Sequence, residues 1–298
     1  FERLGLKPGD IGGVKDLRGL PFTTPADLRN WQEFLCVPPE QVAAVFTTSG
    51  TTGEPKRVYF TLRDLNVYAN FAATVLRMTF RGRLTALLAL PFGGGMWIGP
   101  GSSQRMIERA GGLPLPLGSG DPHGLLAWMR RFEPNLIISS PTYMTTLTRA
   151  AEREGFKARL EQVLLGGEPL YAEQREYISA YWGAAVMNGY GATELGGAQT
   201  LTFTSGGGMA LNDFHLVTEI IDPLTGAAAQ EGELVFTTLM REGMPLLRYR
   251  IGDRARWVQS DPGLPVRSIQ LLQRADDFII TADMGLYGQV IASALLEL

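Results

Sequence analysis

The chain has 298 residues, of which 27 are Lys or Arg and 30 are Asp or Glu, so its formal net charge is −3. This balance argues against a nucleic-acid binder with a basic surface and provides no polybasic address for a membrane. One cysteine excludes an intramolecular disulfide, and two histidines argue against a multi-histidine metal site. No apolar run reaches the roughly 20 residues of a membrane helix, and the composition indicates a globular protein of a reducing cytoplasm.

The first two thirds of the chain alternate short apolar strands with helices. Strands are predicted over residues 85–92, 136–140, 162–165 and 184–187. Helices are predicted over residues 102–110 and 171–182, and two more begin at Asp121-Pro122 and Pro141-Thr142. This alternation predicts an α/β fold with mostly parallel sheets and helices on both faces. Ligands of such sheets bind beyond the carboxyl ends of the strands, where the glycine-rich segments after residues 92, 165 and 187 fall.

The pattern changes at about residue 204. Short strands over residues 217–222, 233–239 and 255–259 alternate with turn signals at 223–226 and 260–263, which predicts a small antiparallel β-barrel-like subdomain. A strand over 278–281 and the start of a helix over 289–298 follow. The expected domains are therefore an α/β part over residues 1–204, the barrel-like part over 205–272, and a hinge with the first elements of a further, truncated domain over 273–298.

Residues 47–56, Thr-Thr-Ser-Gly-Thr-Thr-Gly-Glu-Pro-Lys, form the sharpest motif. Its hydroxyl groups and backbone N–H groups are what a polyphosphate needs, and Lys56 adds a positive charge. The spacing differs from that of the Walker loop, which ends in Gly-Lys-Ser/Thr. A generic loop of this composition is more often a polar surface loop.

Three further segments carry candidate chemistry. Residues 188–194 place Tyr190 between two glycines, where its ring can face a base, and Glu194 where it can reach Mg²⁺. Asp253 stands at a predicted tight turn after Arg-Tyr-Arg, and its carboxylate suits the two hydroxyls of a ribose. Residues 274–277, Arg-Ala-Asp-Asp, lie where the barrel pattern ends. The residues alone leave open a turn with an incidental acid, a solvated aspartate at a hairpin end and a charged linker.

These four segments in this order resemble the adenylate-forming superfamily of acyl- and aryl-CoA ligases, peptide-synthetase adenylation domains and luciferases. The resemblance covers nearly the whole chain. It is closest to the phenylacetate–coenzyme A ligase branch, because residues 17–24, 27–29, 58–61, 167–170 and 248–250 are similar to segments of that branch.

The resemblance implies that ATP, with Mg²⁺, activates a carboxylic acid to an acyl-adenylate, and that coenzyme A then takes the acyl group. It implies that the phosphates contact Thr48, Ser49, Gly50, Thr51, Thr52, Gly53 and Lys56. Around the adenine it implies Gly167, Glu168, Pro169, Tyr190 and Gly191. It further implies that Asp253 binds the ribose, Thr193 contacts the α-phosphate, Glu194 holds Mg²⁺, Arg274 contacts the ribose or the phosphates, and Asp276 is the hinge.

The acid is expected between the loop after Phe92 and the helix after Pro141. Candidate pocket residues are Phe92, Trp97, Tyr143 and Gly166, although each aromatic is as readily a plain core residue. No basic residue marks a second carboxylate in the substrate, so we expect an uncharged aryl or arylacetic acid. His215 could touch substrate or coenzyme A.

Two alternatives stay open at this point. Residues 277–298 contain no lysine, so the catalytic lysine that the family carries in its C-terminal domain has no counterpart here. The chain is therefore expected to lack most of that domain, and a catalytically impaired nucleotide- or acyl-binding module is one alternative. The other is adenylation followed by transfer to an acceptor other than coenzyme A, such as a protein or a carrier-bound thiol. The resemblance also implies a possible homodimer.

Overall fold

The computed structural model of the chain describes residues 5–48, 55–80, 82–92, 96–201, 208–260, 266–272, 278–280 and 285–287. The chain divides into two compact units. The α/β unit comprises Leu35–Phe203 and Arg241–Met244, and the β unit comprises Phe1–Phe34, Thr204–Met240 and Pro245–Leu298. The predicted domain boundaries at residues 204/205 and 272/273 stay predictions.

The α/β unit is built from alternating strands and helices. In chain order these are β1 (Val42–Thr47), β2 (Arg57–Thr61), α1 (Leu62–Thr79), β3 (Thr85–Ala89), α2 (Ile98–Arg109), β4 (Leu113–Leu115), α3 (Pro122–Phe132), β5 (Leu136–Ser139), α4 (Pro141–Arg153), β6 (Gln162–Gly166), α5 (Ala172–Trp182), β7 (Ala185–Ala192) and β8 (Gly197–Leu201). Strands β1 and β2 form an antiparallel hairpin, and the other six follow the order β4-β3-β5-β6-β7-β8. All neighbours in this order are parallel except β7 and β8, which confirms the predicted mostly parallel sheet.

Helices cover both faces of this sheet, as predicted. Successive residues of a strand point to opposite faces, and β3 shows the consequence. Leu87 and Ala89 pack into a core cluster with residues of α3, α4 and α5. Ala86 and Leu88 pack into a second cluster with residues of α1 and α2. The strands are therefore buried on both sides, which explains why they are continuous apolar runs in the sequence.

Local capping fixes where the helices begin. Asp121 caps α3 by accepting the Gly124 N–H at 2.9 Å, and Ser140 caps α4 by accepting the Tyr143 N–H at 3.3 Å. A proline occupies the first turn of both helices, as the sequence indicates. Helix α2 begins at Ile98, four residues before the predicted start at residue 102. Helix α1, the longest of the described helices, was not predicted.

The β unit contains an antiparallel sheet of five strands. These are β9 (Met209–Leu211), β10 (Leu216–Ile221), β11 (Glu231–Thr238), β12 (Tyr249–Val258) and β13 (Ser268–Leu271), in the order β10-β11-β12-β13-β9. Strands β14 (Phe278–Ile280) and β15 (Gly285–Tyr287) form a separate hairpin. The turn predicted at residues 223–226 is confirmed, because Asp222 accepts the N–H groups of Leu224 and Thr225.

Short 3-10 turns complete the described chain, at Pro8–Asp10, Asp16–Gly19, Asp27–Glu33, Pro39–Gln41 and Thr193–Leu195. Most of the predicted turn at 260–263 and the whole predicted helix at 289–298 lie outside the described residues. Within the described ranges, no helix combines the length and the apolar character needed to cross a bilayer.

Candidate active site

Lys56 and Glu194 form an ion pair at the centre of the candidate site. Lys56 directly precedes β2, and Glu194 lies in the 3-10 turn Thr193–Leu195, which follows β7. The Lys56 Nζ atom is 2.6 Å from Glu194 Oε1, and the two side chains are 20% and 4% exposed. The predicted phosphate loop and the predicted magnesium segment therefore meet in the α/β unit, although these two residues are 138 positions apart.

The β1–β2 hairpin holds the two ends of the predicted phosphate loop together. Thr47 pairs with Arg57 across the hairpin, and the Thr48 N–H donates to the Lys56 carbonyl at 3.3 Å. The Thr48 hydroxyl is buried, and no described residue forms a hydrogen bond with it, as suits a group that receives its partner from a ligand. The remaining loop residues of the prediction, Ser49, Gly50, Thr51, Thr52 and Gly53, lie outside the described residues.

Arg241 donates a hydrogen bond to the backbone of the Glu194 turn. It belongs to the candidate site, although the sequence did not reveal it. Its guanidinium donates to the backbone carbonyls of Glu194 and Tyr59 and lies 4.1 Å from the centre of the Phe60 ring. Arg241 is 6% exposed. Burial lowers the pKa of this guanidinium, whereas Tyr68, Asp64 and Glu194 oppose that shift. Nothing in the local sequence of Arg241 points to a partner 47 residues away.

Asp64 anchors the segment that carries Arg241. This fully buried carboxylate completes the capping box of α1 with Thr61, and it also accepts the N–H groups of Glu242 at 2.8 Å and Gly243 at 3.1 Å. Glu242 in turn accepts the Thr61 hydroxyl at 2.8 Å. One carboxylate therefore fixes both the start of α1 and the backbone beside Arg241.

The glycine pair after β6 allows close packing. A Cβ atom on Gly166 would lie 2.8 Å from the Gly189 carbonyl oxygen, so only glycine lets the two strands approach this closely here. Gly167 has φ = +84°, a conformation that favours glycine. The Trp97 ring covers the turn, because a Cβ atom on Gly167 would lie 3.5 Å from that ring. The structure thus places one predicted acid-pocket residue, Trp97, against Gly167, which directly follows another, Gly166, at the carboxyl end of β6.

Glu168 and Pro169 continue this turn at the surface. Both are exposed, and Glu168 Oε2 accepts the Thr142 N–H at 3.2 Å at the beginning of α4. A carboxylate in the first turn of a helix satisfies an otherwise free N–H group. Glu168 therefore has a structural task besides any contact with a nucleotide.

Tyr190 lies on a strand, although the sequence predicted that the strand would end at residue 187. Strand β7 continues to Ala192 because β8 pairs with it. The Tyr190 N–H donates to the Thr200 hydroxyl at 3.3 Å, and the Tyr190 residue is half-buried. At Gly191 a Cβ atom would lie 2.1 Å from the Gly197 carbonyl oxygen, so the hairpin that carries the motif requires glycine at this position.

The predicted pocket aromatics have different surroundings. Trp97 packs against the core cluster of α1 and α2, whereas Tyr143 packs against the cluster of α3, α4 and α5. The Tyr143 hydroxyl donates to the Gly120 carbonyl at 2.7 Å, and burial raises the pKa of Tyr143 to about 12. Phe92 is 41% exposed at the end of the β3 segment.

Asp253 lies within strand β12 of the β unit and not at a tight turn. The register of β12 against β11 shifts here, because Arg250 pairs with Val235 whereas Arg254 pairs with Glu233. Three residues of β12 thus bulge out opposite one residue of β11, and Gly252 takes φ = +87°. Such bulges redirect side chains. Asp253 is half-buried at this bulge.

The predicted residues Arg274 and Asp276 lie outside the described residues. Within the described ranges, no group of three or more His, Cys, Asp or Glu side chains is placed to hold a metal ion. The single carboxylate of Glu194 is compatible with Mg²⁺ that binds together with a nucleotide. Mg²⁺ is usually held by one or two carboxylates together with phosphates and waters. The Lys56 ammonium already places a positive charge beside that carboxylate.

Comparison with known proteins agrees with this arrangement. The sequence matches the AMP-binding enzyme family over residues 12–238. The phenylacetate-coenzyme A ligases of Aromatoleum evansii and Pseudomonas putida are each 32% identical to the chain, over 96% and 100% of its length and 67% and 70% of theirs. The fold is similar to that of 2-hydroxyisobutyryl-CoA ligase in complex with 2-HIB-AMP, with a TM-score of 0.88 and 23% identity over all of this chain and 67% of the other.

Proposed function

The chain belongs to the AMP-binding enzyme family, among its phenylacetate–coenzyme A ligases, and we propose that it activates an aryl or arylacetic acid with ATP and passes the acyl group to coenzyme A. The observation that carries this proposal is the similarity to phenylacetate-coenzyme A ligases over nearly the whole chain. The meeting of Lys56 and Glu194 adds independent support, since a phosphate-binding cation and a magnesium-binding carboxylate have to act on the same nucleotide.

In this proposal the α/β unit binds the triphosphate and the base. Lys56, the Thr48 hydroxyl and the loop residues 49–53 contact the β- and γ-phosphates, and Thr193 contacts the α-phosphate. Tyr190 stacks on the adenine, and Gly191 and Gly167–Pro169 line it. Asp253 accepts hydrogen bonds from the ribose hydroxyls, and its place on a bulge supports this role, because bulges often serve to present a side chain to a ligand. Arg274 and Asp276 complete the proposal as a ribose or phosphate contact and as the hinge.

Glu194 would hold Mg²⁺ together with the nucleotide phosphates, and the bound ion would neutralise charge on them. In the nucleotide-free protein Lys56 is the cation beside this carboxylate. A triphosphate would give Lys56 a more strongly charged partner, and Glu194 could then coordinate the ion that accompanies the nucleotide. The chain's own residues therefore exchange partners when the nucleotide binds.

The reaction needs little covalent participation from the protein. A carboxylate oxygen of the acid attacks the α-phosphorus of ATP, the bond to the bridging oxygen of the β-phosphate breaks, and pyrophosphate leaves. The thiol sulfur of coenzyme A then attacks the acyl carbon, the bond between that carbon and the phosphate oxygen breaks, AMP leaves, and the thiol proton passes to solvent. Lys56 and Thr193 contribute by position and charge, which are the principal means of catalysis in phosphoryl chemistry.

The acid lies, in this proposal, at the end of β6. Trp97 covers Gly167 there, so an aromatic ring of a substrate can pack against the indole and the glycine backbone. Phe92 and Tyr143 are the other proposed walls of the pocket. Substitution of Trp97 should change the affinity for the acid more than the affinity for ATP.

The two alternatives find less support. Transfer to an acceptor other than coenzyme A, or binding without turnover, would separate this chain from the CoA ligases that it resembles over nearly its whole length. The homodimer is a proposal from the family alone, and sedimentation analysis of the purified chain tests it. The cytoplasmic location is a proposal from the composition.

Calorimetric titration with Mg·ATP, with and without phenylacetate, tests the proposal first. We expect ATP to bind and phenylacetate to strengthen the binding. Release of pyrophosphate that depends on the acid, and consumption of phenylacetyl-AMP that depends on coenzyme A, then test the two chemical steps. Turnover of the adenylate by other thiols but not by coenzyme A would contradict the proposed acceptor, and absence of ATP binding would contradict the proposal as a whole.

A further inference from the structure

Four consecutive residues, here called the excursion, belong to a different compact unit from their neighbours in the sequence. Arg241–Met244 belong to the α/β unit, whereas the residues on both sides of them in the sequence belong to the β unit. The excursion is firmly held, because Asp64 accepts two of its N–H groups and the Gly243 carbonyl accepts the Cys36 N–H at 2.9 Å. The position of Arg241 is thus fixed by the hydrogen bonds of the backbone that follows it.

Arg241 connects the two halves of the candidate site. Its guanidinium donates to the carbonyl of Glu194, whose carboxylate pairs with Lys56. It also donates to the carbonyl of Tyr59, which lies on β2 three residues after Lys56. One planar cation therefore ties the backbone of the carboxylate residue to the strand that directly follows its lysine partner.

Arg241 is poorly suited to a purely structural task. Burying a guanidinium costs solvation free energy, and an apolar side chain of similar volume could pack against Phe60 equally well. What an apolar side chain cannot do is donate hydrogen bonds to the Glu194 carbonyl and place a positive charge near the Glu194 carboxylate. The features that distinguish Arg241 from a methionine are therefore its hydrogen bonds to the Glu194 and Tyr59 carbonyls and its positive charge near the Glu194 carboxylate.

We propose that Arg241 is a positioning residue of the adenylation site, which fixes the Glu194 turn so that its carboxylate can release Lys56 and take Mg²⁺ with the nucleotide. This inference rests on the proposed function, because it assumes that Glu194 binds the ion of Mg·ATP. Arg241 itself need not touch the nucleotide.

The test compares Arg241→Met and Arg241→Lys with Arg63→Met as a matched control. Arg63 pairs with Glu242 of the same excursion, but this pair is exposed. Calorimetry measures ATP binding in EDTA and over a range of Mg²⁺ concentrations. We expect Arg241→Met to reduce the gain in ATP affinity that Mg²⁺ provides by about tenfold, as loss of a charged hydrogen bond predicts, while binding in EDTA stays unchanged. Arg241→Lys should recover part of the gain, and Arg63→Met should have no effect.

A second readout does not require nucleotide. Hydrogen exchange of the amides around Thr193–Leu195 should become faster in Arg241→Lys. A third measurement uses ATP again, because the effect of this substitution on Mg²⁺-dependent ATP binding should disappear in a Glu194→Gln background. Equal loss of binding with and without Mg²⁺, or no loss in either Arg241 variant, would overturn the proposal. If Arg241→Met does not fold, Arg241→Lys alone decides. Failure of the unaltered chain to bind Mg·ATP would instead overturn the proposed function, and this inference with it.

Discussion

The ammonium group of Lys56 lies 2.6 Å from the Glu194 carboxylate, in a place where only 4% of the Glu194 side chain is exposed. A buried carboxylate without a cation is costly, so removing Lys56 alone should destabilise the nucleotide-free protein. The same two groups are those that we propose to bind the phosphates and the magnesium ion of ATP. The stability of the nucleotide-free protein and its affinity for nucleotide therefore depend on the same two residues. Substitutions at these residues can separate the two effects.

Lys56→Met should weaken ATP binding by roughly tenfold to a hundredfold, because it removes a charged hydrogen bond to a phosphate. It should also lower the free energy of unfolding, since the buried Glu194 carboxylate loses its ion pair with Lys56. Adding Glu194→Gln should restore much of this stability but not the ATP affinity. Calorimetry and urea unfolding measure the two quantities.

Lys157→Met is the matched control for that experiment. Lys157 lies in the same unit and contacts the Tyr181 ring at the surface. The Lys157→Met substitution should therefore leave ATP binding unchanged. Unchanged ATP affinity in Lys56→Met would contradict the assignment of residues 47–56 as a phosphate loop.

Tyr190→Ala should reduce nucleotide affinity by about 1–3 kcal/mol, which is typical of base–aromatic stacking. Tyr190→Phe keeps the flat ring and should bind ATP nearly as well as the unaltered chain. ATP titrations of the two variants, with thermal unfolding to confirm that β7 and β8 remain paired, provide the measurement. Equal affinities for Tyr190→Ala and Tyr190→Phe would mean that the ring serves only the packing of the hairpin.

The parts of the fold that the sequence predicts well are those with local signals. Asp121-Pro122 and Ser140-Pro141 place a cap and a first-turn proline next to each other, and both helices begin there. No glycine or proline marks the start of helix α1, which follows β2 directly. Its capping box, Thr61 with Asp64, is a local signal that could have revealed it.

The parts of the site that escape prediction depend on distant residues. Tyr190 lies on a strand because β8 extends the sheet, and Asp253 lies on a bulge because β12 shifts its register against β11. Arg241 has no local pattern, since its partners Tyr59 and Glu194 come from two other segments. Motifs thus indicate which residues are candidates for contact with a ligand, whereas the groups that hold those residues in place become visible only in three dimensions.

His215 should make the stability of the protein depend on pH. It is buried, its Nδ1 atom lies 3.0 Å from Asn212 Nδ2, and burial lowers the pKa of its imidazole below the ordinary value of 6.5. The unfolded chain therefore binds a proton at a higher pH than the folded chain does. The free energy of unfolding should fall as the pH drops below about 6.5 and level off below the folded-state pKa.

Urea unfolding between pH 5 and pH 8, in the unaltered chain and in His215→Gln, measures this contribution. The variant should lose less stability than the unaltered chain over the acidic part of the range, because glutamine does not titrate. His123→Gln is the control, since His123 is exposed and pairs with Glu154 on another surface. The neighbouring ion pair of Asp213 and Arg267 is present in both proteins, so its contribution cancels in the comparison. Parallel pH profiles for His215→Gln and the unaltered chain would refute the prediction.

Arg248 should be a sensitive position of the β unit. Its guanidinium donates two hydrogen bonds of 3.1 Å to Glu219 and two more to the carbonyls of Arg18 and Leu20, and it covers the Phe22 ring at 4.1 Å. It thus binds the N-terminal segment to strand β10. Removing one partner of a buried ion pair typically costs about 3–5 kcal/mol, so Arg248→Met should lower the free energy of unfolding by about that amount.

Arg254→Met is the comparison for Arg248→Met, because Arg254 pairs with Glu231 at 3.5 Å in an exposed position. Exposed pairs contribute about 0–1 kcal/mol, so this variant should unfold almost like the unaltered chain. Adding Glu219→Gln to Arg248→Met should recover part of the loss, since no unpaired buried charge then remains. A loss of similar size at the two arginines would show that burial does not distinguish them, whereas a large loss at Arg248 with partial recovery would establish that this arginine holds the N-terminal segment in the β unit.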